Sequence, residues 1–108
     1  MIPAGRGLRI VGDVHGDARA FALAAETDFF VVQLGDLIDD GLDSSGALEI
    51  MFRLIDEKRG LFLLGNHDFK LARALRGDTV FKPAYLHRTL SELSPALAER
   101  AQFEIMVA

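Results

Sequence analysis

Three times along this chain an apolar run breaks at a glycine, and an oxygen-bearing side chain of the metal-ligand type follows at once. The breaks are Gly12-Asp13-Val14-His15-Gly16, Gly35-Asp36-Leu37-Ile38-Asp39-Asp40-Gly41 and Gly65-Asn66-His67-Asp68. The runs before them, Leu8–Val11, Phe29–Leu34 and Leu61–Leu64, read as buried strands. Helical segments follow the breaks. Asp17–Glu26 is rich in alanine, a strong helix former. Asp43-Ser44-Ser45 offers N-cap residues to a second helix, whose Leu48, Met51, Phe52 and Ile55 recur at helical spacing and for which Gly60 is a stop. Phe69–Arg76, ended by Gly77, is the third. Alternating strands and helices imply an α/β fold with a mostly parallel sheet and flanking helices. A parallel sheet gathers the carboxyl ends of its strands along one edge, and ligands bind there. Asp13, His15, Asp36, Asn66 and His67 are therefore expected around one point.

After Gly77 the pattern changes. Asp78–His87 is irregular and contains Pro83, Thr89-Leu90-Ser91-Glu92 fits a capping box, and Ser94-Pro95 fits an N-cap followed by Pro at the first helical position. Residues 78–108 thus read as a helical insertion or cap on a βαβαβα half at 1–77, within one domain spanning 1–108. The 108 residues can bury a modest core, and the 50% hydrophobic and 26% charged composition is that of a folded globular chain. A net charge of −4 gives no sign of nucleic-acid binding, which needs basic surface. The absence of cysteine excludes disulfides and thiolate metal sites. No apolar stretch is long enough to span a membrane, and Met1-Ile2-Pro3-Ala4-Gly5-Arg6 lacks the hydrophobic segment of a secretory signal, so the cytoplasm is the expected location.

Carboxylates, an amide oxygen and imidazoles converging on one point suit divalent metal ions. Asp13 and His15, two apart on extended backbone, would point to the same side and share one ion; the plainer alternative is a strand-end turn with an incidental histidine. Asp36 has two oxygens and can bridge two cations. The neutral oxygen of Asn66 can complete the shell of a second. His67 would face the substrate: an ordinary imidazole can protonate a leaving oxygen at neutral pH. Asp39 is placed to partner a histidine, while Asp40 and Asp43 read as a solvated acidic loop. Taken singly, each residue has a structural explanation, with Asn66 a turn former and His67 a neighbour of a helix cap. Their ordered recurrence at three strand ends does not.

From about Arg9 to Arg76 these blocks resemble the calcineurin-like metallophosphoesterase superfamily, whose successive motifs are Gly-Asp-x-His, Gly-Asp-x-x-Asp-Arg-Gly and Gly-Asn-His-Asp/Glu. Gly65-Asn66-His67-Asp68-Phe69-Lys70-Leu71 with Arg73-Ala74-Leu75-Arg76-Gly77 is similar to a bacterial and phage protein-phosphatase-like group that includes diadenosine-tetraphosphatase-like proteins. The resemblance implies that Asp13 and His15 hold a first metal, Asp36 bridges, Asn66 holds a second, His67 is the catalytic histidine and Asp39 orients it. It implies two divalent ions, with manganese the leading candidate and iron, zinc or nickel alternatives. The implied chemistry is attack of a metal-bridging hydroxide on a phosphomonoester or nucleotide phosphoanhydride, with His67 as general acid. The substrate would be a phosphorylated small molecule, a nucleotide or a phosphoprotein.

The chain departs from the family pattern twice. Asp40 stands where many members have a phosphate-holding Arg, so the phosphate would rely on the metals, on Asn66, or on Arg73 and Arg76; those two, with Lys70, also read simply as the solvated face of a helix. The family completes its metal shells with three later histidines, one alone and two in Gly-His-x-His, whereas the one later histidine here is His87, read as part of the helical cap. The apolar end Phe103-Glu104-Ile105-Met106-Val107-Ala108 points the same way. The expectation is the N-terminal half of a metallophosphoesterase αββα sandwich, with one sheet face uncovered and available for self-association. A second reading is a truncated or degenerate, non-catalytic metal-binding or interaction domain. A third, a single-magnesium receiver or aspartyl-phosphate-forming phosphatase, gives no reason for Gly65-Asn66-His67. Phe81, Tyr85 and Phe103 could stack a nucleobase or simply pack the cap.

Overall fold

The strand at Phe30–Gln33 (β2) is hydrogen-bonded along both edges, to Leu8–Val11 (β1) and to Gly60–Phe62 (β3), all parallel. Leu8 lies opposite Phe30, Val31 opposite Gly60, and Gln33 between Val11 and Phe62. This computed structural model describes residues 5, 7–39, 41, 43–77 and 84–107. The elements between and after the strands are α1 (Ala18–Ala25), α2 (Ser44–Asp56), α3 (Asn66–Leu75), α4 (Ala84–Glu92) and α5 (Pro95–Val107). The α/β expectation therefore holds, and the three strands lie within a residue or two of their sequence positions.

Because β1, β2 and β3 follow one another across the sheet, right-handed crossovers put α1 and α2 on the same face. That face carries the core. Phe21 and Ala25 of α1 and Ala47, Leu48, Met51, Phe52 and Leu54 of α2 are buried there against Val31 and Phe62. Each large side chain so buried contributes about 1.5–3 kcal/mol. The opposite face is open: Ile10, Val32 and Leu61 stand in one row, and Ile10 is 63% exposed, with Leu8, Leu34 and Leu63 also exposed.

Local chemistry explains the helix ends, and in two places differs from expectation. Asp17 caps α1 by accepting from the Ala20 N–H at 3.1 Å, and Asp43 caps α2 by accepting from the Gly46 N–H at 2.8 Å. Gly60 does not stop α2. The stop is Lys58, in the left-handed region at φ 56°, with the Lys58 and Arg59 N–H groups bonded back to the Ile55 and Leu54 carbonyls. Gly60 instead opens β3, where a Cβ would lie 2.9 Å from the Val31 carbonyl oxygen. The third helix begins at Asn66 rather than Phe69, because Asp68, three residues into it, accepts from the Gly65 N–H at 3.0 Å and closes the first turn.

Ala84–His87 is helical, the start of α4, where an irregular segment was expected; 78–83 lie outside the described residues. The Thr89…Glu92 pattern closes α4 instead of opening a helix, and Thr89 is buried. Ser94 does cap α5, accepting from the Leu97 N–H at 3.1 Å. Arg100 ties α5 to α2 through Asp56 at 2.8 Å and sits over the Phe52 ring. Asp56 is well exposed, so buried Ala101 and Ile105 hold α5 more than that ion pair does. No described helix is long and apolar enough to cross a membrane.

Candidate active site

The loop after β1 is fastened to the loop after β2 by backbone alone. The Val14 and His15 N–H groups both donate to the Asp36 carbonyl, at 3.1 and 2.9 Å, and the Gly16 N–H donates to the Leu37 carbonyl at 2.9 Å. β1 ends at Val11 and His15 has φ 46°, so this turn, not strand alternation, brings Asp13 and His15 together. The His15 Nδ1 lies 3.2 Å from the Ile38 carbonyl oxygen. A carbonyl only accepts, which puts the proton on Nδ1 and leaves the Nε2 lone pair turned toward Asp13 Oδ2, 3.5 Å away. Ligand atoms of Asp13, His15 and Asp36 lie within 4.8 Å of one another. Two carboxylates and an imidazole fixed in its metal-binding tautomer fit a divalent cation.

Asp36 sits at the centre of this arrangement. It adopts φ 54°, and its Oδ1 accepts from the His67 N–H at 3.0 Å, so the carboxylate lies against the backbone where α3 begins. Asn66, exposed, is the first residue of that helix. The approach of the two loops is too tight for side chains: a Cβ on Gly35, at φ 105°, would stand 2.6 Å from the Gly65 nitrogen. Gly35→Ala is expected to cost about 2 kcal/mol, read as a lower urea midpoint at unchanged slope.

Two buried polar side chains hold these loops, and sequence reasoning assigned neither. Gln33, the polar residue of β2, donates from Nε2 to the Gly12 and Gly35 carbonyls at 3.1 and 2.5 Å and accepts from the Gly35 N–H at 2.7 Å. A lone amide ending an otherwise apolar strand was the available signal. Asp68 accepts from the Asp36, Leu37 and Gly65 N–H groups at 2.7, 3.0 and 3.0 Å. Burial, the largest influence, pushes its carboxyl above the usual range against those three hydrogen bonds. Its signal was its place three residues into a helix that starts at Asn66.

His67 and Asp39 are in contact. His67 Nδ1 is 2.8 Å from Asp39 Oδ2, the Asp39 side chain is fully buried, and the His67 ring stands edge-on to His15 with centroids 4.9 Å apart. Asp39 holds φ 71°, its N–H donates to Ser44 Oγ at 3.0 Å, and its other carboxylate oxygen accepts from the Thr89 hydroxyl. His15, Asp36 and Asp39 are three of the four described non-glycine residues at positive φ. Strain of about 1–3 kcal/mol per residue thus gathers at one place, as at functional sites.

Arg73 and Arg76 are exposed, the one on α3 and the other at its end, as is Lys70. His87 is exposed on α4 and is not a member of the Asp13, His15, Asp36 group. Phe103 is 61% exposed, while Asp40, Phe81 and the Tyr85 side chain lie outside the described residues.

The family model for calcineurin-like phosphoesterases matches residues 8–104. The asymmetrical bis(5'-nucleosyl)-tetraphosphatase PrpE of Oceanobacillus iheyensis is 30% identical over 97 residues, covering 77% of this chain and 39% of the relative. Its counterpart in Geobacillus thermodenitrificans is 31% identical over 97 residues, covering 77% of this chain and 40% of the relative. The chain therefore spans about two fifths of the length of these relatives. A crystal structure of a candidate diadenosine tetraphosphatase superposes with a TM-score of 0.65 at 23% identity, over 94% of this chain and 44% of that one, a likeness of fold.

Proposed function

The chain belongs to the calcineurin-like phosphoesterase family, and from that membership we propose that it carries the metal-binding and proton-handling half of a phosphoester hydrolase acting on nucleotide phosphoanhydrides. The single observation behind this is the adjacency of two constellations. Asp13, His15 and Asp36 share one point, and the His67 ring, bonded to buried Asp39, stands 4.9 Å from the His15 ring. In this reading Asp13, His15 and Asp36 would hold a first divalent ion, and Asp36 with Asn66 would hold a second. Such ions lower the pKa of bound water and offset phosphate charge.

The chain's own residues do the rest. Asp39 accepts from His67 Nδ1 and fixes the ring, so Nε2 is the atom that gives a proton to the leaving oxygen. The start of α3 adds backbone dipoles that favour an anion beside His67. Arg73 and Arg76 are the cations proposed to meet the outer phosphates, taking over from the arginine that Asp40 replaces. Domain limits follow: 1–77 as the site-bearing half, 78–108 as the cap. The names of the two PrpE relatives support a dinucleoside tetraphosphate as substrate. Manganese-dependent cleavage of diadenosine tetraphosphate, followed by chromatography of the nucleotide products and abolished by chelation, is the expected result. Cleavage that survives exhaustive chelation would sink the proposal.

A second reading has an observation of its own. The metal-binding group among the described residues has three His or Asp members, and exposed His87 is not among them. On that reading the chain binds metal without turnover, or pairs through the open sheet face bearing Ile10, Leu34 and Leu63 to complete its shells. Calorimetric titration with manganese tests the metal site that both readings share, and the turnover assay separates them. We expect binding that Asp36→Ala weakens about tenfold or more, since Asp36 serves both ions and even indirect supports of a metal cost that much. Tight uptake of two ions per chain together with dimerisation would favour the paired form.

A further inference from the structure

We infer that Thr89, on α4, is a positioning residue for the Asp39–His67 pair: its hydroxyl fixes one carboxylate oxygen of Asp39 so that the other is aimed at His67 Nδ1. This rests on the reading of His67 and Asp39 as the groups that handle the proton.

The geometry leaves the carboxylate one arrangement. Asp39 Oδ2 faces His67 Nδ1 at 2.8 Å, and Oδ1 accepts a hydrogen bond from Thr89 Oγ1. Asp39 and Thr89 are each 1% exposed, so water cannot stand in for either partner. The Thr89 oxygen also lies 3.3 Å from Ser44 Oγ, which itself accepts from the Asp39 N–H at 3.0 Å. With the single Thr89 proton committed to the carboxylate, the Ser44 hydroxyl is the one able to donate across that contact. The Ser44 N–H in turn donates to Glu92 Oε1 at 3.1 Å, one turn beyond Thr89 on the same helix. Hydroxyl, carboxylate and backbone thus tie α4 to the residue that aims the imidazole. A carboxylate lacking its second donor could rotate about its terminal torsion, which is broad and soft, and the His67 ring would lose its fixed direction. Supporting contacts of this kind change activity about 10–100-fold when removed.

The experiment compares Thr89→Val, which keeps the shape and deletes the hydroxyl, with Thr89→Ser, which keeps the hydroxyl. Two readouts are needed on proteins that remain folded by circular dichroism. One is the proton NMR signal of the His67 Nδ1–H, which reports the bond to Asp39 without metal or substrate. The other is manganese-dependent turnover of diadenosine tetraphosphate. Thr89→Val should move or broaden the Nδ1–H signal and lower kcat about tenfold with KM little changed, and Thr89→Ser should restore most of both. A parental Nδ1–H signal in Thr89→Val overturns the inference, whatever its stability. If Thr89→Val fails to fold, Thr89→Ala, which also deletes the hydroxyl and leaves more room, decides by the same signal: a parental signal there overturns the inference, and a moved or broadened one supports it. Parental turnover in His67→Ala would instead remove the proton-handling reading, while the NMR comparison still decides whether Thr89 aims Asp39.

Discussion

Replacing His67 with alanine is expected to lower turnover of a dinucleoside tetraphosphate by about 10²–10⁴-fold while manganese binding persists. The imidazole is held through Nδ1 by Asp39 at 2.8 Å and contributes no ligand atom to the Asp13, His15, Asp36 group. On the proposed reading its removal therefore takes away a proton donor and leaves the cation site standing. The substrate dependence sharpens the test. An alkyl phosphate releases an alkoxide that must be protonated as it leaves, whereas 4-nitrophenyl phosphate releases a stable phenolate, so the same substitution should slow hydrolysis of the alkyl ester far more than that of the nitrophenyl ester. An equal loss on both substrates would mean that His67 supports something other than protonation of the leaving oxygen. Asp39→Asn should follow His67→Ala in direction with a smaller loss, because an amide can still accept from Nδ1 while no longer offering a charge.

The sequence made the strand ends legible because each is marked twice, by an apolar run and by a glycine with a ligand-type side chain after it. The gathering of Asp13, His15 and Asp36 at one edge was then legible from the parallel sheet. What pulls them together was not legible. The Val14 and His15 amides on the Asp36 carbonyl are backbone contacts between loops some twenty residues apart, and no side-chain pattern encodes them. Helix starts were misplaced where a side chain closes the first turn from within: Asp68 moved α3 back to Asn66. Thr89 illustrates the opposite failure. A Thr-x-x-Glu pattern has a well-founded local reading as a cap, yet here the long-range bond to Asp39, fifty positions away, takes the hydroxyl. Local patterns cannot rank a cap against a tertiary partner, since the two use the same atom.

Asp68 supplies the largest expected loss of stability in the site. Its carboxylate accepts from the N–H groups of Asp36, Leu37 and Gly65 and is 1% exposed, so Asp68→Ala strands three donors, that of Leu37 buried and the other two partly so. Each stranded donor costs about 1–3 kcal/mol, so a loss of roughly 3 kcal/mol or more is expected in urea unfolding, a large part of what a domain of this size holds. Because two of the donors flank Asp36, metal affinity should fall in the same variant. The acid side of the stability curve has its own signature. Burial raises the folded Asp68 pKa above the 3.8 of the free side chain, so the folded state keeps this proton to higher pH than the unfolded chain does. The resulting contribution is complete below about 3.8 and is lost as the pH rises through the folded value. Measured against Asp68→Asn, which has no proton to release, the parent should lose stability across that acid window and hold a constant difference at neutral pH. A parent that instead gains on Asp68→Asn as the pH rises would mean that the three amides outweigh burial and hold Asp68 as a low-pKa carboxylate.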